Sequence, residues 1–189
     1  MLSKALARRI KAVGLDVDGV FTDGGVYVGL VANHPLEFKR FQVQDGLGVK
    51  LLRMVGLAVI LVSGRASEAS ETRATEMDVD ELLEVPPQKK LPALEQALER
   101  RGLTLDTCAY VGDDLADVPV LKAVALPIAV ANAAPEVKAV ARLVTSVPGG
   151  QGAVRQVAEQ LLKARGEWSE LVERQFEARD GARPTHRSR

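Results

Sequence analysis

Short apolar runs rich in Val, Ile and Leu alternate along the chain with amphipathic segments of helical length. Such runs are typical of strands buried on both faces, and strands separated by helices usually pair in parallel. The alternation therefore predicts an α/β fold with a doubly wound, mostly parallel sheet and helices on both sides. The predicted strands are 12–16, 57–62, 81–85, 107–112 and 126–130, with a shorter edge strand at 142–145. The predicted helices are 46–55, 66–75, 88–101, 114–123, 135–141 and 152–164.

One segment, at about residues 24–43, breaks this alternation. It reads GGVYVGLVANHPLEFKRFQV, two alternating runs on either side of an Asn-His-Pro turn. Alternation flanking turn residues predicts a β-hairpin rather than a crossover helix. We therefore expect a hairpin inserted after the first strand.

The length of 189 residues, 47% of them hydrophobic, suits one domain with a packed core rather than two domains. We place that domain at residues 1–165. The remaining segment, 166–189, is polar and has no apolar period, which predicts a mobile C-terminal tail.

Charge and cysteine content exclude several classes of protein. Lys and Arg together number 25, as do Asp and Glu, so no overall positive field would attract nucleic acid. The only cysteine, Cys108, cannot form an intramolecular disulfide, which favours a reducing compartment, the cytoplasm. The N-terminus lacks the uninterrupted apolar stretch of a signal peptide, and no run approaches the roughly 20 residues of a membrane span.

Polar residues follow three of the predicted strands at the edge where α/β sheets bind ligands. Asp16 and Asp18 end the first strand, Ser63 the second, and Asp113 with Asp114 the fourth. Residues two apart on an extended chain point to one side, so two negative charges are crowded there and require a cation. Oxygen ligands with few carboxylates favour Mg²⁺, and His and Cys are too scarce for zinc.

Each aspartate has an alternative interpretation as a turn former or a helix N-cap, and Asp114 fits that role well. Turn chemistry does not explain the combination of all three strand ends with a lysine at position 90. The combination resembles the four motifs of the haloacid dehalogenase superfamily of phosphohydrolases. The matching segments are Asp16-Val17-Asp18-Gly19-Val20, Ser63-Gly64-Arg65, Lys90 and Gly112-Asp113-Asp114-Leu115-Ala116-Asp117.

Three further segments resemble one branch of that superfamily, the 3-deoxy-D-manno-octulosonate 8-phosphate phosphatases. They are Thr22-Asp23-Gly24, Phe41-Gln42-Val43-Gln44-Asp45-Gly46-Leu47-Gly48 and Gly149-Gly150-Gln151-Gly152-Ala153-Val154-Arg155. The similarity runs from about Ile10 to Leu162, inside the predicted domain. It implies a Rossmann-like core in which the hairpin takes the place of a cap domain.

The resemblance implies a mechanism through an aspartyl-phosphate. Asp16 would attack phosphorus, while Asp18 would protonate the leaving sugar oxygen and later activate water. Magnesium would be held by Asp16, the main-chain carbonyl of Asp18 and Asp113, with Asp117 supporting the site from behind. The product would be the free sugar acid, in a step toward the lipopolysaccharide inner core.

The motif positions also imply phosphate-binding and sugar-binding residues. Ser63 would donate its hydroxyl to a phosphate oxygen, and Lys90, rather than the neighbouring Lys89, would supply a positive charge. Arg73 and Lys50 have an equal alternative as solvated helix residues, and Lys50 stands where the family more often has Arg. The residues expected to bind substrate are Asp18, Gln42, Val43, Gln44, Asp45, Gly46, Lys50, Arg65, Arg73 and Lys90.

A hairpin alone leaves the site open, so the resemblance implies a homotetramer in which hairpins of neighbouring chains close over each site. The hairpin turn near residues 30–34 is longer than expected for the family, Pro86-Pro87-Gln88 precedes Lys90 in place of a Gly-Gln-like approach, and Gln156 replaces an acid. Two other functions stay open: a phosphatase for a related acid such as a nine-carbon 9-phosphate, and a non-catalytic tetrameric assembly partner.

Overall fold

The computed structural model describes residues 2–180 of the chain. The strands are Ala12–Asp16 (β1), Tyr27–Val31 (β2), His34–Phe38 (β3), Ala58–Ser63 (β4), Glu81–Glu84 (β5), Cys108–Gly112 (β6), Leu126–Ala129 (β7) and Leu143–Val144 (β8). The helices are Lys4–Arg9 (α1), Val43–Met54 (α2), Glu68–Met77 (α3), Lys90–Glu99 (α4), Val118–Ala123 (α5), Pro135–Val140 (α6), Ala153–Arg165 (α7) and Trp168–Asp180 (α8). Within residues 2–180, no helix has both the length and the apolar character needed to cross a bilayer.

Six strands form the main sheet in the order β5-β4-β1-β6-β7-β8, and every neighbouring pair is parallel. The central strands β1 and β6 are buried at every position because helices cover both faces. This confirms the predicted α/β fold, and all six predicted main-sheet strands occur near their predicted positions. The sequence did not predict α1.

One glycine sets the packing between the two central strands. Gly14 in β1 lies opposite Tyr110 in β6. A Cβ atom at Gly14 would lie 2.7 Å from Cδ2 of Tyr110, closer than van der Waals contact allows. The glycine therefore leaves room for the Tyr110 ring, which is fully buried.

The hairpin of β2 and β3 is a separate two-stranded antiparallel sheet, as the alternating pattern predicted. Its turn consists of Ala32 and Asn33, whose φ angles of 50° and 65° are typical of tight two-residue hairpin turns. The turn therefore begins earlier than the Asn-His-Pro sequence suggested, and His34 already belongs to β3. Most of the hairpin's large apolar side chains are exposed.

The segment from Gly166, predicted to be a mobile C-terminal tail, contains helix α8 at Trp168–Asp180. The tail's Leu171 is buried, and the Trp168 ring lies beneath the cationic groups of Arg155 and Lys163 on α7, at 5.5 and 5.0 Å. These two residues, the anchors among the described side chains of α8, are too few to produce an apolar period that can be recognised in a sequence. The last part of the predicted tail, 181–189, lies outside the described residues.

Candidate active site

The parallel arrangement brings the C-terminal ends of β1, β4 and β6 to one edge of the sheet. Asp16 is the last residue of β1 and pairs with Val62 of β4, so Ser63 follows directly beside it. On the other side β6 ends at Gly112, and Asp113 comes next. Residues from distant parts of the chain are thus adjacent because parallel strands all point the same way.

Three carboxylates converge at this edge, those of Asp16, Asp113 and Asp117. One oxygen from each lies within 4.8 Å of the others. Asp117 is fully buried, and its Oδ2 accepts backbone N–H bonds from Asp113 at 3.0 Å and from Asp114 at 3.4 Å. Asp117 therefore shapes the loop that presents Asp113. Asp114 itself is exposed and caps the following turn by accepting a bond from the Leu115 N–H, the role its alternative interpretation gave it.

Lys90 is the cation of this cluster and lies at the start of α4. Its Nζ is 2.8 Å from Oδ1 of Asp16 and 2.9 Å from Oδ1 of Asp117. Burial opposes its charge, but the two carboxylates hold the pKa of Lys90 above its ordinary value. The Tyr110 hydroxyl donates to the same Asp117 oxygen at 2.9 Å, a contact that the sequence analysis missed.

The charge of the cluster calls for a further cation. Burial and the neighbouring Asp117 raise the pKa of Asp16 well above its ordinary range, and burial raises that of Asp113 to about 6. Oδ1 of Asp113 is buried without a hydrogen-bond partner. The cluster holds three carboxylates but one ammonium group, and one of its buried oxygens is unpaired. This arrangement fits a divalent ion that prefers oxygen ligands, such as Mg²⁺.

A turn after β1 brings the backbone against this site. Gly19 has a φ of 91°, which L side chains rarely adopt, and a Cβ there would lie 2.0 Å from Oδ2 of Asp113. The same turn carries Asp18, whose half-buried side chain contacts Lys39 at the end of the hairpin.

Two cations hold the Asp18 carboxylate. Nζ of Lys39 lies 2.8 Å from Oδ1, and Nε of Arg65 lies 3.2 Å from Oδ2. Arg65 also donates to Glu37 of β3 at 2.5 Å. Arg65 was predicted to bind substrate, but sequence reasoning missed Lys39 because nothing in its local pattern distinguishes it from a surface lysine.

Ser63 is fully buried, and its hydroxyl bonds locally. Its Oγ donates to the Arg65 carbonyl at 2.7 Å and accepts from the Arg65 N–H at 3.3 Å. This arrangement holds the Ser-Gly-Arg turn at the end of β4. To donate to a phosphate oxygen, as predicted, the hydroxyl hydrogen would have to rotate about the Cβ–Oγ bond away from the Arg65 carbonyl.

The residues predicted to bind substrate at the start of α2 occupy different environments. Gln42 caps the helix by accepting the Val43 N–H, and both Val43 and Gln44 are exposed. Asp45 is fully buried instead, and its carboxylate accepts the backbone N–H groups of Gly152 at 3.3 Å and Arg155 at 2.8 Å. That placement gives Asp45 a role in holding the N-terminus of α7 and does not support direct contact with substrate.

Two further predicted cations lie on helices. Arg73 on α3 packs against Gly46 and lies 5.9 Å from the Phe41 ring centroid, while its Nε is buried without a partner. Lys50 on α2 is exposed and lines a surface pocket with Met54 and Met77 near the C-terminal ends of α2 and α3. Its exposure agrees with the alternative interpretation of Lys50 as a solvated helix residue, while its predicted contact with substrate stays a prediction.

Comparison with known proteins identifies the family. KdsC of Escherichia coli, a 3-deoxy-D-manno-octulosonate 8-phosphate phosphatase, is 39% identical over 166 residues, which are 88% of this chain and 86% of that protein. The Salmonella typhi enzyme of the same name is 38% identical and covers 87% of this chain and 85% of its own length. The chain belongs to the 3-deoxy-D-manno-octulosonate 8-phosphate phosphatase family. The broader family of haloacid dehalogenase-like hydrolases matches residues 80–156.

Solved structures from the 3-deoxy-D-manno-octulosonate 8-phosphate phosphatase family share the fold. The Moraxella catarrhalis phosphatase, in complex with a magnesium ion, a phosphate ion and a KDO molecule, matches with a TM-score of 0.84 and 33% identity over 90% of this chain and 96% of that one. The Yersinia pestis phosphatase matches with a TM-score of 0.81 and 36% identity over 87% and 86%. A relative that binds magnesium agrees with the fit of the carboxylate cluster to this ion.

Proposed function

We propose that this protein is a magnesium-dependent phosphatase that hydrolyses 3-deoxy-D-manno-octulosonate 8-phosphate to the free sugar acid and phosphate. The observation that carries the proposal is the position of Asp16. Its carboxylate ends the central strand of the sheet, between Lys90 and the buried unpaired oxygen of Asp113. The relatives named for this reaction match 88% of the chain.

In the first step, an Asp16 oxygen bonds to phosphorus and the bond between phosphorus and the sugar oxygen breaks. Asp18 gives its proton to that oxygen, which leaves as the sugar hydroxyl. In the second step, Asp18 takes a proton from water as the water oxygen attacks phosphorus. The bond to Asp16 then breaks, phosphate leaves, and both aspartates return to their initial state.

Asp16, the main-chain carbonyl of Asp18 and Asp113 would hold the magnesium ion. When bound, magnesium offsets the repulsion between the anionic nucleophile and the phosphate group. Lys90 orients the Asp16 carboxylate and adds a positive charge near the transferred group. Asp117 keeps Lys90 and the Asp113 loop in place through its two oxygens.

Cations near the hairpin support an acidic sugar as the substrate. Arg65 is about two-fifths exposed; its Nε and Nη1 donate to Asp18 and Glu37, so a sugar carboxylate would be bound through Nη2. Further predicted contacts, each of which requires a substrate complex for its test, are Ser63, Gln42, Val43, Gln44, Gly46, Lys50 and Arg73.

The test of this function is phosphate release by the purified protein with Mg²⁺. The substrates are 3-deoxy-D-manno-octulosonate 8-phosphate, a nine-carbon sugar-acid 9-phosphate, a hexose phosphate and an aryl phosphate, with Asp16→Asn as the control. We expect kcat/KM to be highest for the octulosonate ester and activity to be lost in Asp16→Asn.

The other outcomes separate the parts of the proposal. Preference for the nine-carbon ester would support the proposed mechanism but replace the proposed substrate. Cleavage of the aryl phosphate alone would refute the assignment to sugar acids. Absence of any Asp16-dependent hydrolysis would favour the non-catalytic assembly partner.

We further propose that the hairpin mediates assembly of a homotetramer in which hairpins of neighbouring chains close over the sites. Val28 and Leu30 in β2 are 69% and 73% exposed, and Phe38 in β3 is 52% exposed. A lone two-stranded hairpin is marginally stable in water, and covering its apolar faces stabilises it. A second copy of the chain supplies an identical apolar surface.

Light scattering coupled to size-exclusion chromatography tests this assembly. The wild type should elute at four times the chain mass of 20.3 kDa, whereas a Val28→Asp, Leu30→Asp variant should elute as smaller species. A monomeric wild type at micromolar concentration would refute the tetramer.

We also place the reaction in the cytoplasm, since the chain's only cysteine is free and buried, and cell fractionation tests that location.

A further inference from the structure

Lys39 directly follows strand β3 of the hairpin, and its side chain is completely buried. Its Nζ lies 2.8 Å from Oδ1 of Asp18 and donates a hydrogen bond to Oγ of Ser70 at 3.0 Å. Glu37 is the next nearest carboxylate, at 3.9 Å. A buried ammonium group is costly unless it is paired and hydrogen-bonded, and here Asp18 and Ser70 are the closest partners.

The second oxygen of Asp18 is held independently. Nε of Arg65 lies 3.2 Å from Oδ2, and Glu37 binds the other end of Arg65. Glu37 in turn accepts a hydrogen bond from the Ser67 hydroxyl at 3.1 Å. Both oxygens of Asp18 are therefore held by side chains, and Lys39 and Glu37 both come from the end of the hairpin.

We propose that Lys39 is a positioning residue that orients the Asp18 carboxylate for proton transfer. The inference rests on the proposed phosphatase chemistry, in which Asp18 acts in both steps. A group that transfers protons must lie within hydrogen-bond distance of the leaving oxygen and later of the attacking water. With Lys39 in place, rotation of the Asp18 side chain would leave the buried ammonium group of Lys39 without its ion-pair partner. The hairpin would thus position a catalytic side chain through Lys39 at its base, in addition to its proposed part in covering the active sites.

The direct test is Lys39→Met, which retains the length and the burial of the side chain but removes its charge. Lys122→Met is the matched control, because Lys122 is an exposed lysine on α5, away from the site. On the sugar phosphate, we expect kcat of Lys39→Met to fall by roughly 10²-fold, the cost of misplacing a proton-transfer group by about 1 Å. KM should change by less than about 3-fold, and Lys122→Met should match the wild type.

An aryl phosphate supplies a readout that a loosened fold would not give. Its phenolate leaves without protonation, so Lys39→Met should still form the phosphoenzyme at a normal rate. Hydrolysis of the phosphoenzyme needs Asp18 to activate water, and this step should become slow. We therefore expect a burst of phenolate equal to the enzyme concentration, followed by a slow steady rate.

Three results would overturn the inference: a kcat within about 3-fold of the wild type, a raised KM at unchanged kcat, or reduced aryl phosphate turnover without a burst. If Lys39→Met does not fold, Ser70→Ala is the second test of the role of Lys39, because it removes only the hydroxyl that accepts a hydrogen bond from Lys39. A kcat lowered by about 3- to 10-fold at unchanged KM supports the inference, and an unchanged kcat overturns it. The burst is measured with an aryl phosphate and does not require the sugar substrate. Failure of the substrate assignment can therefore be told apart from failure of the inference about Lys39.

Discussion

Replacing Asp113 by asparagine should alter how the stability of the metal-free protein depends on pH. Burial raises the pKa of the Asp113 carboxyl to about 6 from its ordinary value of 3.8. Between these values the folded protein keeps a proton that the unfolded chain has released. The stabilisation from this proton is complete below pH 3.8 and is lost as the pH rises through 6.

The size of the effect follows from the shift. A difference of about 2 pH units corresponds to at most about 3 kcal/mol, and solvent reaches the half-buried Asp113, so we expect a loss of about 1–3 kcal/mol. Asparagine does not titrate and resembles the protonated carboxyl. The free energy of unfolding of Asp113→Asn should therefore exceed that of the wild type by a margin that grows by this amount from pH 4 to pH 7.

Urea denaturation followed by circular dichroism, in a chelating buffer, measures both free energies across this range. Repeating the series with saturating Mg²⁺ should raise the stability of the wild type at pH 7 and raise that of Asp113→Asn less, because the ion binds the folded site. A margin between the two proteins that stays constant from pH 4 to pH 7 would refute the reasoning. So would an equal response of the two proteins to magnesium.

Asp45→Asn should lower the free energy of unfolding by about 1–3 kcal/mol, because its NH₂ group would face a backbone N–H of Gly152 or Arg155 in a buried site. Urea denaturation measures this loss, and an unchanged midpoint would contradict the role of Asp45 in holding α7. Gly14→Ala should cost about 1–3 kcal/mol, because its methyl group would lie 2.7 Å from Cδ2 of Tyr110. A melting temperature equal to that of the wild type in calorimetry would show that the core accommodates the methyl group.

The elements with strong local signals were predictable. Strand β1 occurs at Ala12–Asp16 as predicted, because its apolar run is buried on both faces and leaves no ambiguity of period. Helix α8 was missed because, among those of its side chains that the structure describes, Trp168 and Leu171 anchor it, and the Trp168 ring does so through contacts with α7. Local sequence predicts an element well when its residues are buried together and poorly when one side of the element makes a few isolated contacts.

The sequence by itself determined the fold class and the central chemistry of the site. Parallel strands necessarily bring their C-terminal ends to one edge, so aspartates after two strands had to meet there, as Asp16 and Asp113 do. Only the tertiary structure decided where Asp45 and Lys39 lie and what they contact. The carboxylate of Asp45 binds a backbone group 110 residues away, and Lys39 is buried through a hairpin that folds back over Asp18. Contacts between segments so distant in the chain depend on how the elements pack, and no local period records that packing.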